Sequence, residues 1–275
     1  MHPALRSYPW RTFLFLAAAG SLTGPLVIPY FKGLAAIAAV SQPEASMSLG
    51  LLVLGTVLRN LVLLVPAALI GLWVARRIGL GAPYLESWLD GAPRPAEPFA
   101  SIVRPAVFWA TVTALVAFAV DAIFRYGLGV DFPAPEIHAR IDVAWWRSGL
   151  ASFWAPFAEE IFDRLFLLSL VAWLGMKLFR VAGEGRGRTA ALWFANLATA
   201  LFFGWYHISN EEIFAVAVPA LVAVRTVMII LPVGLAFGWL YIRRGLEAVI
   251  LSHFVIDVIV HVVRPIVEQG IHHQF

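Results

Sequence analysis

Residues 49–74 read LGLLVLGTVLRNLVLLVPAALIGLWV. At about 1.5 Å per residue in a helix this run is longer than the ~30 Å of bilayer hydrocarbon, and it has no polar face. Arg59 and Asn60 are its only strongly polar members. Similar apolar runs lie on both sides of it, at Trp10–Tyr30, Ile102–Phe124, Ser148–Leu178, Thr189–Ile208, Ala223–Ile242 and Leu246–Val263. Together they predict an all-α fold, a polytopic membrane helix bundle of about seven or eight transmembrane helices. Composition agrees: 275 residues that are 61% hydrophobic and 13% charged carry more apolar surface than a soluble core can hide.

The expected organisation is residues 1–147 as N-terminal spans with interfacial loops, 148–263 as a helical core carrying the chemistry, and 264–275 as a tail. All three read as parts of one structural unit. Gly79 to Ala100 is proline-rich and reads as a loop, with one amphipathic piece. Its Tyr84, Leu85, Trp88 and Leu89 share a helical face opposite Glu86 and Asp90, which suits a helix lying in the interface. Asp131 to Arg147 reads as a loop on the opposite side, ending at the aromatic pair Trp145-Trp146. With the N-terminus cytoplasmic, most of the twenty Lys and Arg fall in inside loops, which puts the C-terminus outside for seven spans. The protein is expected in the cell (inner) membrane if its source is bacterial.

Several classes of chemistry are excluded. There are no cysteines, so disulfides, thiolate metal sites and cysteine nucleophiles are absent. Neither G-x-S-x-G nor H-E-x-x-H occurs. Nothing resembles a basic patch interleaved with stacking aromatics, so no nucleic-acid partner is expected. Membrane lipid is the expected partner.

Polar residues within apolar runs are costly, roughly 2.5–3.5 kcal/mol per charge at the bilayer centre on translocon scales, and so point to function. Glu159 and Glu160 diverge by about 100° on a helix. Glu160 and Arg164 stack four residues apart, where an ion pair lowers the cost of burying both. Glu159 can then face a water-filled cavity as a general base, or the cluster can be a structural ion pair. Asp163, four residues from Glu159, adds a like charge. Phe203 and His207 share the four-residue spacing, which lets the ring fix the imidazole. His253, Asp257 and His261 form a polar stripe on the last span, in which Asp257 accepting the imidazole N–H would fix the His253 tautomer for ligation or proton transfer. Arg59 with Asn60, Asp121 and Arg225 read as helix-to-helix glue or snorkelling groups. His261 and Arg264 read as solvated, and His272 and His273 as tail residues without a catalytic part.

Taken in order, Glu159-Glu160-x-x-x-Arg164, Phe203-x-x-x-His207 and His253-x-x-x-Asp257 resemble the motifs of the CAAX protease and bacteriocin-processing family, which includes type II CAAX prenyl endopeptidases. Gly234-x-x-x-Gly238-Trp239-Leu240-Tyr241 and Arg244-Gly245-Leu246-Glu247 resemble the glycine-rich span before its last motif. The resemblance covers roughly Ser148 to Val260. It implies an intramembrane endopeptidase whose partner is a peptide or lipidated protein substrate, and in which Glu159, assisted by His207, activates water. His253 and Asp257 would stabilise the oxyanion or, with Glu159 and His207, hold a divalent metal such as zinc, while Glu160 and Arg164 shape the site. The chain departs from the family pattern at Asp257, where Asn is common, at Asp163, often apolar, and at Leu165, often glycine. A bacteriocin-immunity or scaffold protein and a proton-coupled transporter are the alternative functions.

Counting from these span ends puts Glu159 near mid-membrane, His207 near the outer end and His253 nearer the inner end. On those limits the three would meet only through longer, tilted helices or a re-entrant segment around Asn210 to Pro219.

Overall fold

In hydrocarbon no water is present to satisfy backbone N–H and C=O groups, so each span must satisfy them within its own helix. A computed structural model, which describes residues 7–37, 48–130, 143–181, 184–211 and 218–272, shows this outcome, with no strand among the described residues. Helix α1 (Trp10–Leu22) passes through a 3-10 turn into α2 (Ile28–Ile37). Helix α3 (Leu49–Arg77) is followed by the short α4 (Pro83–Asp90), then α5 (Ala100–Ala122), which ends in a π turn at Ile123–Gly127. Helix α6 (Trp145–Ala151) leads to α7 (Ala155–Glu160), a π-helical segment at Ile161–Leu168, and α8 (Ser169–Leu178). Helices α9 (Arg186–Glu211), α10 (Ala220–Arg244) and α11 (Leu246–Val258) follow, and a second π turn at Ile259–Val263 joins α11 to α12 (Arg264–His272).

Among the described residues, five helical stretches are long and apolar enough to cross a membrane: Trp10–Gly33, Leu49–Arg77, Ala100–Gly127, Ala220–Arg244 and Leu246–Glu268. The protein is an integral membrane protein. The remaining two expected spans fall on α7–α8 and α9. Those are the more polar helices, because they carry Glu159, Glu160, Asp163 and Arg164 on one and Asn196 and His207 on the other.

Packing turns Glu160, Asp163, Arg164 and Asn196 inward, while α9 keeps an apolar face exposed at Phe194, Leu197 and Trp205. Helix α3 lies against the π segment, α9 runs along α10, and α5 covers both α10 and α11. Gly71 is what lets α3 approach: a Cβ there would sit 2.9 Å from the backbone carbon and oxygen of Leu165. Gly234 serves the α9–α10 contact in the same way, with Ala200 Cβ 2.9 Å from where its own would be. Leu72, Leu165, Leu168, Phe237 and Leu240 fill the core between them.

Helix α4 exists as expected, but its polar face turns inward. Tyr84 and Glu86 are buried and Trp88 is exposed. The polar side chains have helix ends to satisfy, which outweighs the apolar-face rule. Asp90 accepts from the backbone N–H groups of Arg11 (3.0 Å) and Thr12 (2.9 Å) and from the Thr12 hydroxyl (2.7 Å), closing the open amides at the start of α1. Glu247 does the same for α4, accepting from Leu85 N–H at 2.8 Å. Glu86 accepts from Ala82 N–H (3.2 Å) and pairs with Arg76 (3.3 Å). Burial raises its carboxyl above the ordinary glutamate range, opposed by that N–H and by Arg76. Gly245, at φ 87°, makes the turn that brings α11 back against α4, and Leu246 N–H bonds Gly81 O at 3.0 Å.

Other intramembrane polar groups do join helices. Asn60 donates to Gly20 O across α1 and α3 (3.2 Å), and the Arg59 guanidinium lies 5.9 Å from the Trp154 ring centre. Asp121 accepts from Arg225 Nε (2.8 Å) and Arg264 (3.0 Å) and pairs with Arg125 (3.4 Å). Arg264, expected to be solvated, is thus held between Asp121 and Glu268 (2.7 Å). Trp145 and Trp146 are exposed, as a belt requires, while residues 131–142 of the expected loop, His273 and most of Asn210 to Pro219 lie outside the described residues.

Candidate active site

The π segment Ile161–Leu168 is the local feature that builds the site. π-helical backbone is rare because its bonds reach one residue further, and it recurs where a helix must present side chains off the α register. Here it carries Asp163 and Arg164, directly after Glu159 and Glu160 at the end of α7. The helix begins only at Ala155, after a turn at residues 152–154, so Glu159 lies near a helix start and not in the middle of an unbroken span. Helix α9 continues beyond Ile208 to Glu211. Depth counting had assumed one straight helix per apolar run, and these two differences remove the separation it implied.

Glu159, His207, His253 and Asp257 line one cavity of about 270 Å³. His253 Nε2 lies 3.8 Å from Glu159 Oε2 and 3.6 Å from Asp257 Oδ1. Its other nitrogen is committed, since Nδ1–H donates to Glu160 Oε1 at 2.7 Å. The residue that fixes the His253 ring is therefore Glu160, not Asp257 as the four-residue spacing suggested. A close carboxylate from a packed neighbouring helix gives better geometry than a same-helix partner at 3.6 Å. Phe237, 5.2 Å away ring to ring, packs beside the imidazole.

Glu160 is fully buried and serves two partners, for its second oxygen stands 3.3 Å from Arg164 Nε. The expected ion pair is present. Arg164 is 1% exposed and is surrounded on several sides: Asp163 at 3.5 Å, the Gly234 carbonyl at 3.4 Å, and the rings of Phe203 and Phe237 at 4.6 and 5.6 Å. Planar guanidinium stacks on aromatic faces as an ammonium does not, so Arg is the cation that fits this slot. Asp163 is buried against that guanidinium, away from the role of a second cavity carboxylate.

His207 Nδ1–H donates to the Phe203 carbonyl at 2.7 Å, one helical turn back, and the two rings are 4.4 Å apart. This fixes the tautomer, making Nε2 the acceptor nitrogen of the neutral ring. His261, expected to be solvated, lines the same cavity with Tyr30, whose ring centre is 6.2 Å away. Sequence reasoning placed neither Tyr30 nor Arg225 in the site. Nothing in their own segments signals it, because the contact is made by elements distant in the chain. Among the described residues, no three His, Asp or Glu side chains stand grouped to hold a metal ion.

These observations define a class: a membrane-embedded helix bundle in which carboxylates and histidines from three helical stretches converge on an internal cavity. Residues 141–259 match the family model of Rce1-like, type II CAAX prenyl endopeptidases. The matched segment holds Glu159, Glu160, Arg164, His207, His253 and Asp257, and is similar to that family. Comparison with curated proteins and with solved structures returns no match.

Proposed function

We propose that this protein hydrolyses a peptide bond in a membrane-associated substrate, with water activated by Glu159. The observation that carries the reading is that Glu159 and Asp257 both face His253 Nε2 on the wall of one cavity, while Glu160 holds the far side of the ring. Separations of 3.6–3.8 Å are too long for direct hydrogen bonds and suit a bridging water.

The steps balance simply. Glu159 takes a proton from water as the oxygen attacks the scissile carbonyl; the new oxyanion is met by the Nε2–H of His253 as an imidazolium whose Nδ1–H is held by Glu160, while the acceptor Nε2 of His207 orients the attacking water. The C–N bond then breaks, and Glu159 returns its proton to the departing amine. Glu160 and Arg164 are positioning residues: the first fixes the His253 ring, and the second neutralises Glu160 so that two adjacent carboxylates can be buried together. Asp257 holds the water or the leaving amine opposite Glu159. The bound substrate is a lipidated or leader-type peptide that reaches the cavity from the bilayer.

A divalent ion held by Glu159, His207, His253 and Asp257 would be the other way to polarise water. The test is cleavage of a quenched prenylated peptide in detergent by the parent and by Glu159→Gln, His207→Ala and His253→Ala, with and without EDTA or phenanthroline. Loss in all three variants and indifference to chelator are expected. Full cleavage by the folded Glu159→Gln protein would sink the proposal.

A further inference from the structure

Helices α3 and α8 finish at the same end of the bundle with matching side chains. On α3, Arg77 closes the helix and Trp73 lies one turn deeper; on α8, Lys177 and Trp173 repeat the pair at the same four-residue spacing. The two indoles meet edge to face with 5.8 Å between ring centres, so the helices end level. Each cation is seated on its own ring, the Arg77 guanidinium 3.4 Å from the Trp73 centre and the Lys177 ammonium 5.8 Å from that of Trp173. We propose that this double platform binds an anionic phospholipid, whose headgroup phosphate sits between Arg77 and Lys177 and whose acyl chain runs along the exposed face of Trp73. Such a site requires only that the protein reside in a membrane, and is independent of the peptidase reading.

Both cations are exposed, and among the described residues neither has a carboxylate partner. Arg77 gives one N–H to Trp73 O at 3.0 Å and keeps the rest of its fork of donors. The neighbouring cations are committed: Arg76 pairs with Glu86 and donates to Ser7 O, and Arg188 pairs with Glu184 and donates to Ile78 O. A lone cation at a helix C-terminus is favoured by the helix dipole, and snorkelling carries its head to the interface. Neither effect calls for two cations on two helices, joined through packed indoles. Arg243 and Arg244, at the end of α10, are exposed cations at the same end of the bundle and sit over no ring among the described residues.

The chemistry selects among lipids. Two cations match a phosphodiester, and a guanidinium can bind two of its oxygens at once. A choline or ethanolamine headgroup adds an ammonium, which both cations repel, while the carboxylates nearest in sequence, Glu86 and Glu184, are taken by Arg76 and Arg188. A glycerol headgroup adds only hydroxyls. Below the cations Trp73 is 43% exposed, and Leu69, Ile70 and Leu174 continue an exposed apolar surface for the acyl chain. The position also matters to the active site. Helix α8 continues directly from the π segment Ile161–Leu168, and α3 packs on that segment where Gly71 meets Leu165. A lipid that bridges the ends of α3 and α8 therefore clamps both flanks of the segment that carries Asp163 and Arg164.

The experiment uses the full-length protein, delipidated in a non-ionic detergent. It is titrated with phosphatidylglycerol and, separately, with phosphatidylcholine of the same acyl chains; bound lipid is counted by native mass spectrometry and melting is followed by tryptophan fluorescence. One phosphatidylglycerol should bind about 10- to 30-fold more tightly than phosphatidylcholine, the selectivity that two interfacial cations supply, and should raise the melting temperature. Soluble glycerol phosphate at the same concentration should do neither, because the acyl chain is part of the ligand. In Arg77→Gln with Lys177→Gln the ratio should fall towards one and the thermal shift should vanish. Arg243→Gln with Arg244→Gln removes equal charge from the same end and should keep both. Equal affinity of the parent for the two lipids, selectivity unchanged in the Arg77 and Lys177 variant, or selectivity lost as fully in the Arg243 and Arg244 variant overturns the proposal. So does a thermal shift from glycerol phosphate as large as that from the lipid.

Discussion

Glu159 and Glu160 are adjacent in sequence, and exchanging each for glutamine should have opposite consequences. Glu160 is fully buried, bonded to His253 Nδ1 at 2.7 Å and 3.3 Å from Arg164 Nε. Glutamine keeps the oxygen that accepts from His253 and loses the charge that compensates Arg164. Breaking a buried pair from one side costs about 3–5 kcal/mol, and with the acceptor retained the lower figure of about 3 kcal/mol applies. For a chain of this size that is roughly a 6–12 °C drop in melting temperature. Glu159 makes no contact of that kind: its side chain is 20% exposed on the cavity wall and its nearest cation is 3.8 Å away. Removing its charge relieves repulsion with Asp163 and Asp257, so the melting temperature should stay or rise. Cleavage should nevertheless fall by about 10²- to 10⁴-fold, the usual contribution of a general base. Tryptophan fluorescence melts and peptide cleavage on the same preparations separate the two effects. If Glu159→Gln melts as low as Glu160→Gln, or cleaves at the parent rate, the division of roles argued from burial is wrong.

Gly71→Ala touches no site residue, yet its Cβ would meet the Leu165 backbone at 2.9 Å. It should push α3 off the π segment, cost about 1–3 kcal/mol and lower kcat, as seen in melts and cleavage kinetics; a parent-like kcat would show that the segment's seating is not what places Glu159 and Arg164. Asp90→Ala removes three acceptor contacts to the start of α1 and should destabilise by about 1–2 kcal/mol. Cleavage per folded molecule should not change, because α4 and α1 meet away from the cavity; a change in kcat would contradict that separation.

Helix content and membrane residence were legible in the sequence because both follow from local chemistry. Residues 49–74 and the other apolar runs can satisfy their backbones only as helices in lipid, whatever surrounds them. The four-residue spacings were legible for the same reason: Glu160 with Arg164 and Phe203 with His207 need only one helix, and both contacts are present. Spacing failed where a neighbouring helix competed. His253 is nine-tenths buried against α7, so its ring bonds Glu160 across the bundle and not Asp257 one turn away. Glu86 reads as the wet side of an amphipathic helix, yet it turns inward to Arg76 and Ala82.

What the sequence by itself determined is therefore the set of groups that hydrocarbon could not tolerate without a purpose, and the helices that carry them. Which groups meet was decided by the tertiary structure: the turn before Ala155, the π segment and the close approach at Gly71 and Gly234 set the axial position of each polar side chain. A shift of one residue along a helix moves a side chain by 1.5 Å and about 100°. No local pattern records such a shift, and it is enough to decide whether Glu159, His207, His253 and Arg225 share a cavity.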